Sequence, residues 1–422
     1  MQNTADDLPR KKTVITYGRN IEEIVKDIRK WITAREDIPN TETILSHTED
    51  AFFRSELSGN VDISEIRYLI QAISRRVTGR YGILTELLDD PSINEIMVNG
   101  PGMIFVEKNR ELMMIDDAFT SCDELEEIIR MFASDVHREV NEANPIVDAR
   151  LPSGYRVNGV LKTVALNGPI LTIRKFRERA IEMEDLISYR SITPDCARDL
   201  GALVKSGYNI FISGGTSTGK TTFLNALTAS IGPSERVIII EDSAELMITH
   251  LENRVHLECR AANSIGKGEV TMERLIRTSL RMRPDRIIVG EVRGREVVDM
   301  IQAMNTGHDG SMSTGHGNSI RGMLNRLETM YLMDSQVSVS SVRNQIANAV
   351  DVFVHLRRDH NGSRKVEEVA ELKGFDGTDY IINYLYKADS SGKLLPTGNA
   401  LSDRDRLIRA GLGDLMTGKR ER

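Results

Sequence analysis

The chain has 422 residues, of which 40% are hydrophobic and 28% are charged, and its net charge is −7. This length predicts two or three domains, and the composition excludes a fibrous or low-complexity protein. The acidic balance argues against a dedicated nucleic-acid-binding protein. Neither a secretory signal nor an apolar stretch approaching the ~20 residues that span a bilayer is found. We therefore expect a cytoplasmic protein that reaches a membrane only through a partner.

The first half of the chain predicts two different modules. Residues 1–20 are polar and predict a flexible lead-in. Residues 21–84 carry apolar residues at helical spacing, as in IEEIVKDIRKWI and ISEIRYLIQAI, and predict a small helical module. Residues 85–178 combine one helical pattern, SCDELEEIIRMFASDV, with the strand patterns INEIMVN, MIFVEKN, PIVDARL, YRVNGVL and ILTIRKF. This mixture predicts a separate α+β domain.

The second half of the chain predicts an α/β domain. Residues 179–188 predict a linker, and the domain itself is expected over residues 189–422. Helical patterns alternate there with the strand patterns IFISGG, RVIIIED, RVHLECR, RIIVGE and GSMSTGHG. This alternation is typical of a mostly parallel sheet flanked by helices. DVFVHLRR and VEEVAEL predict a hairpin extension, with a polar helical tail after it.

A glycine-rich loop joins one predicted strand to a predicted helix. From Gly214 it reads GGTSTGKT and matches the phosphate-binding pattern GxxxxGK[ST]. Its glycines allow backbone N–H groups to turn toward an anion, and the helix adds the positive end of its dipole. Lys220 is predicted to reach the β- and γ-phosphates, and the Thr221 hydroxyl to hold Mg²⁺. The predicted nucleotide-binding residues here are Gly214, Gly215, Thr216, Ser217, Thr218, Gly219, Lys220, Thr221 and Thr222.

Acidic residues follow two other predicted strands of this domain. Glu241, Asp242 and Glu245 lie at and beyond the end of RVIIIED, and Glu291 follows RIIVG. Ligands of open parallel sheets bind outside the carboxyl ends of the strands, where these acids and the loop should converge. The acids are candidates for polarising water and holding Mg²⁺, although a single acid at such a place is as often a solvated turn residue. His316, in MSTGHGNS, is a candidate for γ-phosphate contact or coupling, although a lone histidine is more often structural.

Four segments together resemble a known family. GGTSTGKTT, IIEDSAEL, RMRPDRIIVGEVRG and NTGHDGSMSTGHGNS are similar, in order and spacing, to the Walker A, Asp, Walker B and His boxes of the type II/type IV secretion ATPases. The run from NEIMVNGP to LTIRKF looks like that family's N-terminal domain. The nearest branch is the CpaF-type ATPases of tight-adherence (Flp) pili. The resemblance implies a RecA-like P-loop NTPase domain, preceded by a PAS-like α+β domain and a small helical module.

The resemblance also implies cofactors, partners and residue roles. It implies ATP and Mg²⁺, and a cytoplasmic homo-hexamer acting on an inner-membrane platform protein, with no direct nucleic-acid contact. Glu245 would orient the attacking water, Glu241 is the alternative base, and Glu291 would act near Mg²⁺. The arginines at positions from which the family supplies charge to the nucleotide are Arg150, Arg156 and Arg174. They would act as arginine fingers that complete the site only on domain closure.

Three functions are compatible with these features. The favoured one is a motor that powers pilus assembly or secretion. A DNA-transfer ATPase of the conjugation type shares all four boxes, although the acidic net charge makes direct DNA handling less attractive. A slow nucleotide-dependent regulatory switch is a different class, and the paired acids and candidate arginines argue against it.

Overall fold

The computed structural model describes residues 17–35, 37, 39–108, 111–175, 180–260, 262, 267–333, 337–359 and 362–418. The chain divides into two compact units, Met1–Glu178 and Arg179–Arg422. Each unit contains its own β-sheet and its own hydrophobic core. Among the described helices, none combines the length and the apolar character needed to cross a lipid bilayer.

A helical module opens the first unit. It contains α1 (Gly18–Thr33), α2 (Thr41–Arg54) and α3 (Ile63–Thr78). The side chains of Asn40 and Asp62 accept backbone N–H groups at the starts of α2 and α3, which fixes where these helices begin. Apolar residues from all three helices form one core, as the helical spacing predicts. Of the predicted lead-in, residues 1–16 lie outside the described residues, and α1 includes its last three residues.

Arg76 joins the helical module to the rest of the first unit. The residue is only 2% exposed, so its guanidinium group needs hydrogen-bond partners inside the protein. It donates to Glu124 at 3.1 Å and to the backbone oxygen of Ala118. Glu22 of α1 also accepts a hydrogen bond from Thr120, at 2.9 Å. The module is therefore held by buried polar contacts as well as by apolar packing.

The α+β part of the first unit is a six-stranded antiparallel sheet in the order β3-β2-β1-β6-β5-β4. Its strands are β1 (Ile93–Asn99), β2 (Ile104–Lys108), β3 (Glu111–Met114), β4 (Ile146–Arg150), β5 (Arg156–Val160) and β6 (Ile170–Arg174). The helices are α4 (Leu84–Asp89) and α5 (Cys122–Asp135). Strand β3 was not predicted, because all four of its residues are exposed and no apolar alternation marks it.

The segment predicted as a linker, residues 179–188, contains a helix. This helix, α6 (Met183–Ser188), buries Leu186 in the core of the second unit. At six residues it is too short to show a helical pattern in the sequence, which is why it resembles a linker. The next helix, α7 (Pro194–Lys205), starts at a proline and ends before Gly207, whose φ is +78°.

The second unit is built on a nine-stranded sheet in the order β15-β14-β13-β12-β7-β11-β10-β8-β9. Its strands are β7 (Ile210–Gly214), β8 (Val237–Glu241), β9 (Arg254–Glu258), β10 (Arg286–Val289), β11 (Met312–His316), β12 (Val352–Arg358), β13 (Arg364–Phe375), β14 (Tyr380–Ala388) and β15 (Leu394–Pro396). The helices after α7 are α8 (Lys220–Thr228), α9 (Met272–Ser279), α10 (Glu296–Asn305), α11 (Ile320–Leu332), α12 (Val339–Ala349) and α13 (Asp405–Arg409).

Strands β7 to β12 pair in parallel, and all of them except the edge strand β9 are largely buried. Ile210 and Ile212 of β7 enter one core, and Phe211 enters the core on the opposite face. Both faces are therefore covered, as expected for a parallel sheet. The carboxyl ends of these strands meet at one edge, which brings the predicted loop and acids to the same side of the sheet.

The predicted polar helical tail is replaced by two strands and a short helix. β14 pairs antiparallel with β13 and with β15, and in the described part of this tail, which ends at residue 418, only the five residues of α13 are helical. The segment YIINYLYKA that forms β14 is rich in tyrosine and isoleucine, which favour strands. Leu385 and Tyr386 are buried and join the core of the unit.

Candidate nucleotide site

The loop between β7 and α8 is tightly turned. Ser217 and Gly219 have positive φ angles of 59° and 91°. A Cβ atom on Gly214 would lie 2.6 Å from Thr218 Oγ1 and 2.8 Å from the backbone oxygen of Leu356, so the loop requires glycine there. Gly219 is the N-cap of α8 and has no side chain to accept the first N–H groups of the helix. These groups are suited to an anion.

Lys220 folds back over this loop. Its Nζ atom lies 3.1 Å from the backbone oxygen of Gly215 and 3.3 Å from Nδ1 of His316. The residue is only 8% exposed. Burial lowers the pKa of Lys220, while the nearby carboxylate of Glu291 raises it. A buried ammonium group favours an anionic ligand, which is what a triphosphate would provide.

His316 connects Lys220 to Glu291. Its Nε2 atom lies 2.8 Å from Oε1 of Glu291. Because the ammonium group of Lys220 can only donate, Nδ1 is the acceptor and Nε2 carries the ring hydrogen. Nε2 is close to Oε1 of Glu291, but the contact lacks hydrogen-bond geometry and this buried oxygen accepts no hydrogen bond from the described residues. Burial lowers the pKa of His316, Lys220 and Arg293 lower it further, and Glu291 opposes them. The neutral ring is therefore the form that suits this position.

A pH experiment tests this protonation state. A folded-state pKa below the ordinary value means that the unfolded chain binds the proton more readily. The stabilisation from neutral His316 is thus complete above its unfolded pKa of about 6.5 and is lost as the pH falls toward the folded value. We expect the melting temperature of wild type to fall more steeply from pH 7 to pH 5 than that of His316→Asn. Buried His355, whose pKa is also lowered by burial, remains in both proteins and cancels from the difference. Parallel curves would contradict the assignment.

Arg293 extends the same network to a second strand end. Its guanidinium lies 2.9 Å from Oε2 of Glu291 and 3.6 Å from Oδ2 of Asp242. The acids that follow β8 and β10 are thereby bridged by one cation. Sequence reasoning did not select Arg293, although its place two residues after Glu291 in a non-helical turn could have suggested it.

The two acids considered as alternative bases have different surroundings. Glu241 ends β8 and is 2% exposed. Its Oε1 atom accepts the backbone N–H groups of Glu245 at 2.9 Å and Leu246 at 3.1 Å. The carboxylate is therefore turned inward against the following loop. Glu245 lies on that loop and is only partly buried, so its carboxylate is better placed to meet water.

The residues predicted to hold Mg²⁺ are one hydroxyl and one carboxylate. Thr221 lies in the first turn of α8, and Glu291 follows β10 after one glycine. Within the described ranges, no group of three or more histidine, cysteine or acidic side chains is arranged to hold a metal ion. This donor set fits Mg²⁺, which keeps several waters and is usually bound by one or two protein groups together with phosphate oxygens.

A cavity of about 580 Å³ lies in the same unit. Its lining includes Tyr189, Thr193, Ser363, Lys365 and Lys393. Arg364 lies beside Ser363 and also approaches the glycine-rich loop, because a Cβ atom on Gly219 would lie 3.4 Å from its Cδ atom. One hairpin end therefore contributes both to the cavity and to the surroundings of the loop.

The three predicted arginines form one row in the first unit. Arg150 is paired with Arg156 across β4 and β5, and Arg156 is paired with Arg174 across β5 and β6. Directly opposed residues project from the same face of a sheet. Helix α5 packs on the other face, where Gly159 contacts Ile129. Residues that span 24 positions of the sequence are thus brought into one row.

These features define a phosphate-binding loop ATPase fold, and comparison with known proteins identifies its family. Residues 79–387 match the family described as Type II/IV secretion system protein, and the chain belongs to that family. The conjugal transfer protein TrbB of Rhizobium radiobacter is 35% identical over 300 residues, which cover 69% of this chain and 88% of TrbB. The type IV secretion system protein PtlH of Bordetella pertussis is 31% identical over 303 residues, covering 66% and 89% respectively.

A solved structure supports the fold. The crystal structure of the pilus retraction motor PilT with bound ADP has a TM-score of 0.51 and 19% identity, and covers 78% of this chain and 86% of PilT. The predicted α/β class is confirmed: a RecA-like domain follows an α+β domain and a helical module. Family membership and the glycine-rich loop together make the chain an ATP hydrolase.

Proposed function

We propose that this chain is a hexameric cytoplasmic motor that hydrolyses ATP to drive pilus assembly or protein secretion through an inner-membrane platform protein. The observation that carries the proposal is the contact of buried Lys220 with His316, which in turn contacts Glu291. Groups from three strand ends are thereby assembled beside a phosphate loop. If residues from several strand ends contact the γ-phosphate, its cleavage from ATP can move the loops at that edge of the sheet.

In the proposed site, ATP lies with its phosphates on the loop and its nucleoside toward the cavity lined by Tyr189. Lys220 and the N–H groups of α8 bind the phosphates, and Thr221 and Glu291 hold Mg²⁺. Bound Mg²⁺ would neutralise charge that develops on the phosphate oxygens. Glu245 orients the attacking water, while His316 and Arg293 keep Glu291 in place.

The arginine row supplies the remaining positive charge in this proposal. Arg150 and Arg156 stabilise the transition state, and Arg174 contacts the nucleotide. The row of one subunit would complete the site of its neighbour in the ring, so that each site is complete only in a closed state of the ring. Hydrolysis would then be tied to domain movement.

We place the motor in the CpaF-type, Flp pilus branch. The support is the helical module α1–α3, which precedes the family match at residues 79–387 and which the CpaF-type resemblance includes. The second candidate is a DNA-transfer ATPase. It is favoured by the name of the relative TrbB, a conjugal transfer protein.

Stimulation of ATP turnover distinguishes these candidates. The purified chain is assayed alone, with double- or single-stranded DNA, and with platform protein in lipid vesicles. We expect the platform to raise turnover and DNA to leave it unchanged. Stimulation by DNA alone would favour the DNA-transfer function. Specific activity should also rise with protein concentration as the ring assembles, whereas a constant low activity would indicate a regulatory switch.

A further inference from the structure

His256 reaches the buried carboxylate of Glu241 from the neighbouring strand. It lies in β9, and its Nε2 atom is 2.6 Å from Oε2 of Glu241. A carboxylate can only accept, so Nε2 carries the hydrogen and donates it. Oε1 of Glu241 accepts the backbone N–H groups of Glu245 and Leu246, and the N–H group of Leu246 also lies 3.2 Å from Oε2. Glu241 thus connects His256 to the backbone of the following loop.

The carboxylate of Glu241 has little freedom to turn. On the side of β10, a Cβ atom on Gly290 would lie 2.9 Å from Cγ of Glu241. On the side of β9, Glu258 is its paired residue, and Glu258 Oε1 accepts the N–H group of Ala244 at 3.3 Å. Two acids that lie opposite each other on neighbouring strands repel. A hydrogen bond from His256 reduces this repulsion and fixes the direction of the buried carboxylate.

The loop held in this way carries the acid that we assign to water activation. Carboxylates at the ends of β8 and β9 accept consecutive backbone N–H groups of the loop, at residues 244, 245 and 246. The loop has no regular secondary structure of its own, so its position depends on such contacts, together with the N–H group of Met247, which Asn225 accepts, and the burial of Leu246 and Ile248. A reacting group displaced by about 1 Å can lose two orders of magnitude in rate.

We propose that His256 is a positioning residue for ATP hydrolysis, which acts through Glu241 to fix the backbone that carries Glu245. The inference rests on the proposed function, in which Glu245 orients the attacking water. His256 touches neither nucleotide nor water in this role. Its contribution is to the turnover step and not to nucleotide affinity, because the phosphate loop is held by β7 and α8 instead.

The experiment compares two amides of different reach at position 256 in the full-length chain. In His256→Gln the amide nitrogen can occupy the place of Nε2, whereas in His256→Asn the side chain is one methylene too short. We expect His256→Asn to lower kcat about tenfold, as for the loss of one hydrogen bond to a charged group. His256→Gln should stay within about twofold of wild type. The Kd for ATP, measured at equilibrium, should be unchanged in both variants.

The outcomes separate this inference from the function on which it rests. Both variants place a polar amide at position 256, so we expect similar stability. Melting temperatures within a few degrees of each other would show that a difference in kcat does not come from impaired folding. Wild-type kcat in His256→Asn, equal losses in both variants, or a matching loss of ATP affinity would each overturn the positioning role. Glu245→Gln is the reference variant. If it keeps wild-type turnover, the assignment of Glu245 to water activation is wrong, whatever the results for the two variants at position 256. If Glu245→Gln is inactive while His256→Asn is normal, only the positioning role fails.

Discussion

Lys220→Ala is expected to reduce ATP turnover by at least about 10²-fold, because it removes the cation assigned to the β- and γ-phosphates. The fold should remain intact. Lys220 is buried against a carbonyl oxygen and a histidine ring, and burial already lowers its pKa, so its charge is not what stabilises the protein. Its removal should leave the melting temperature unchanged or slightly raised. Turnover, equilibrium ATP binding and thermal unfolding are the three measurements.

Lys205→Ala is the matched control for this experiment. Lys205 is exposed at the end of α7 in the same unit, so its loss should change neither turnover nor stability. In cells, Lys220→Ala should also abolish the filaments or secretion that the motor drives. Normal filaments in a strain with only the Lys220→Ala chain would refute the motor assignment, even if turnover in vitro were lost.

The elements that form the phosphate loop could be predicted from sequence because their local rules agree. An apolar strand, a glycine-rich turn and a helical pattern follow one another, and the structure places β7, the loop and α8 there. The acids at the strand ends were also predictable, since parallel strands align their carboxyl ends. In both cases the information lies within a few residues of the feature.

The contacts between these elements could not be predicted in the same way. The inward position of the Glu241 carboxylate depends on His256 and Gly290, which lie 15 and 49 positions further along the chain. Gly315 and Gly317, which flank His316, make close contacts that the sequence does not reveal. A Cβ atom at either position would lie within 3.0 Å of Met323, so the glycines allow α11 to pack closely there.

The elements that could not be predicted correctly from the sequence are those without a regular pattern of buried and exposed residues. Strand β3 is exposed on both faces, and α6 buries only a narrow side. β14 alternates imperfectly because register shifts interrupt its pairing with β13. Periodicity indicates an element only when one face is consistently covered, and these three lie at the margins of their units.

Arg156→Ala is expected to lower kcat by about 10³-fold or more while changing the Kd for ATP by less than about threefold. Arg156 is the centre of the arginine row, paired with Arg150 on one side and Arg174 on the other. An arginine that meets the phosphates only in the closed state stabilises the transition state more than the bound nucleotide. Arg138→Ala, at an exposed position after α5, is the control and should behave as wild type.

Mixing two inactive variants tests whether the arginines act between subunits. Arg156→Ala chains keep the phosphate loop, and Lys220→Ala chains keep the arginine row. If the row of one subunit completes the site of its neighbour, mixed rings contain some sites with both parts intact. We therefore expect ATP turnover to reappear on mixing and to be highest when the two variants are present in intermediate ratios. If turnover does not recover in rings shown to contain both variants, the arginines act in the site of their own chain. In the experiment on Arg156→Ala alone, an equal loss of ATP affinity and turnover would make Arg156 a simple nucleotide ligand.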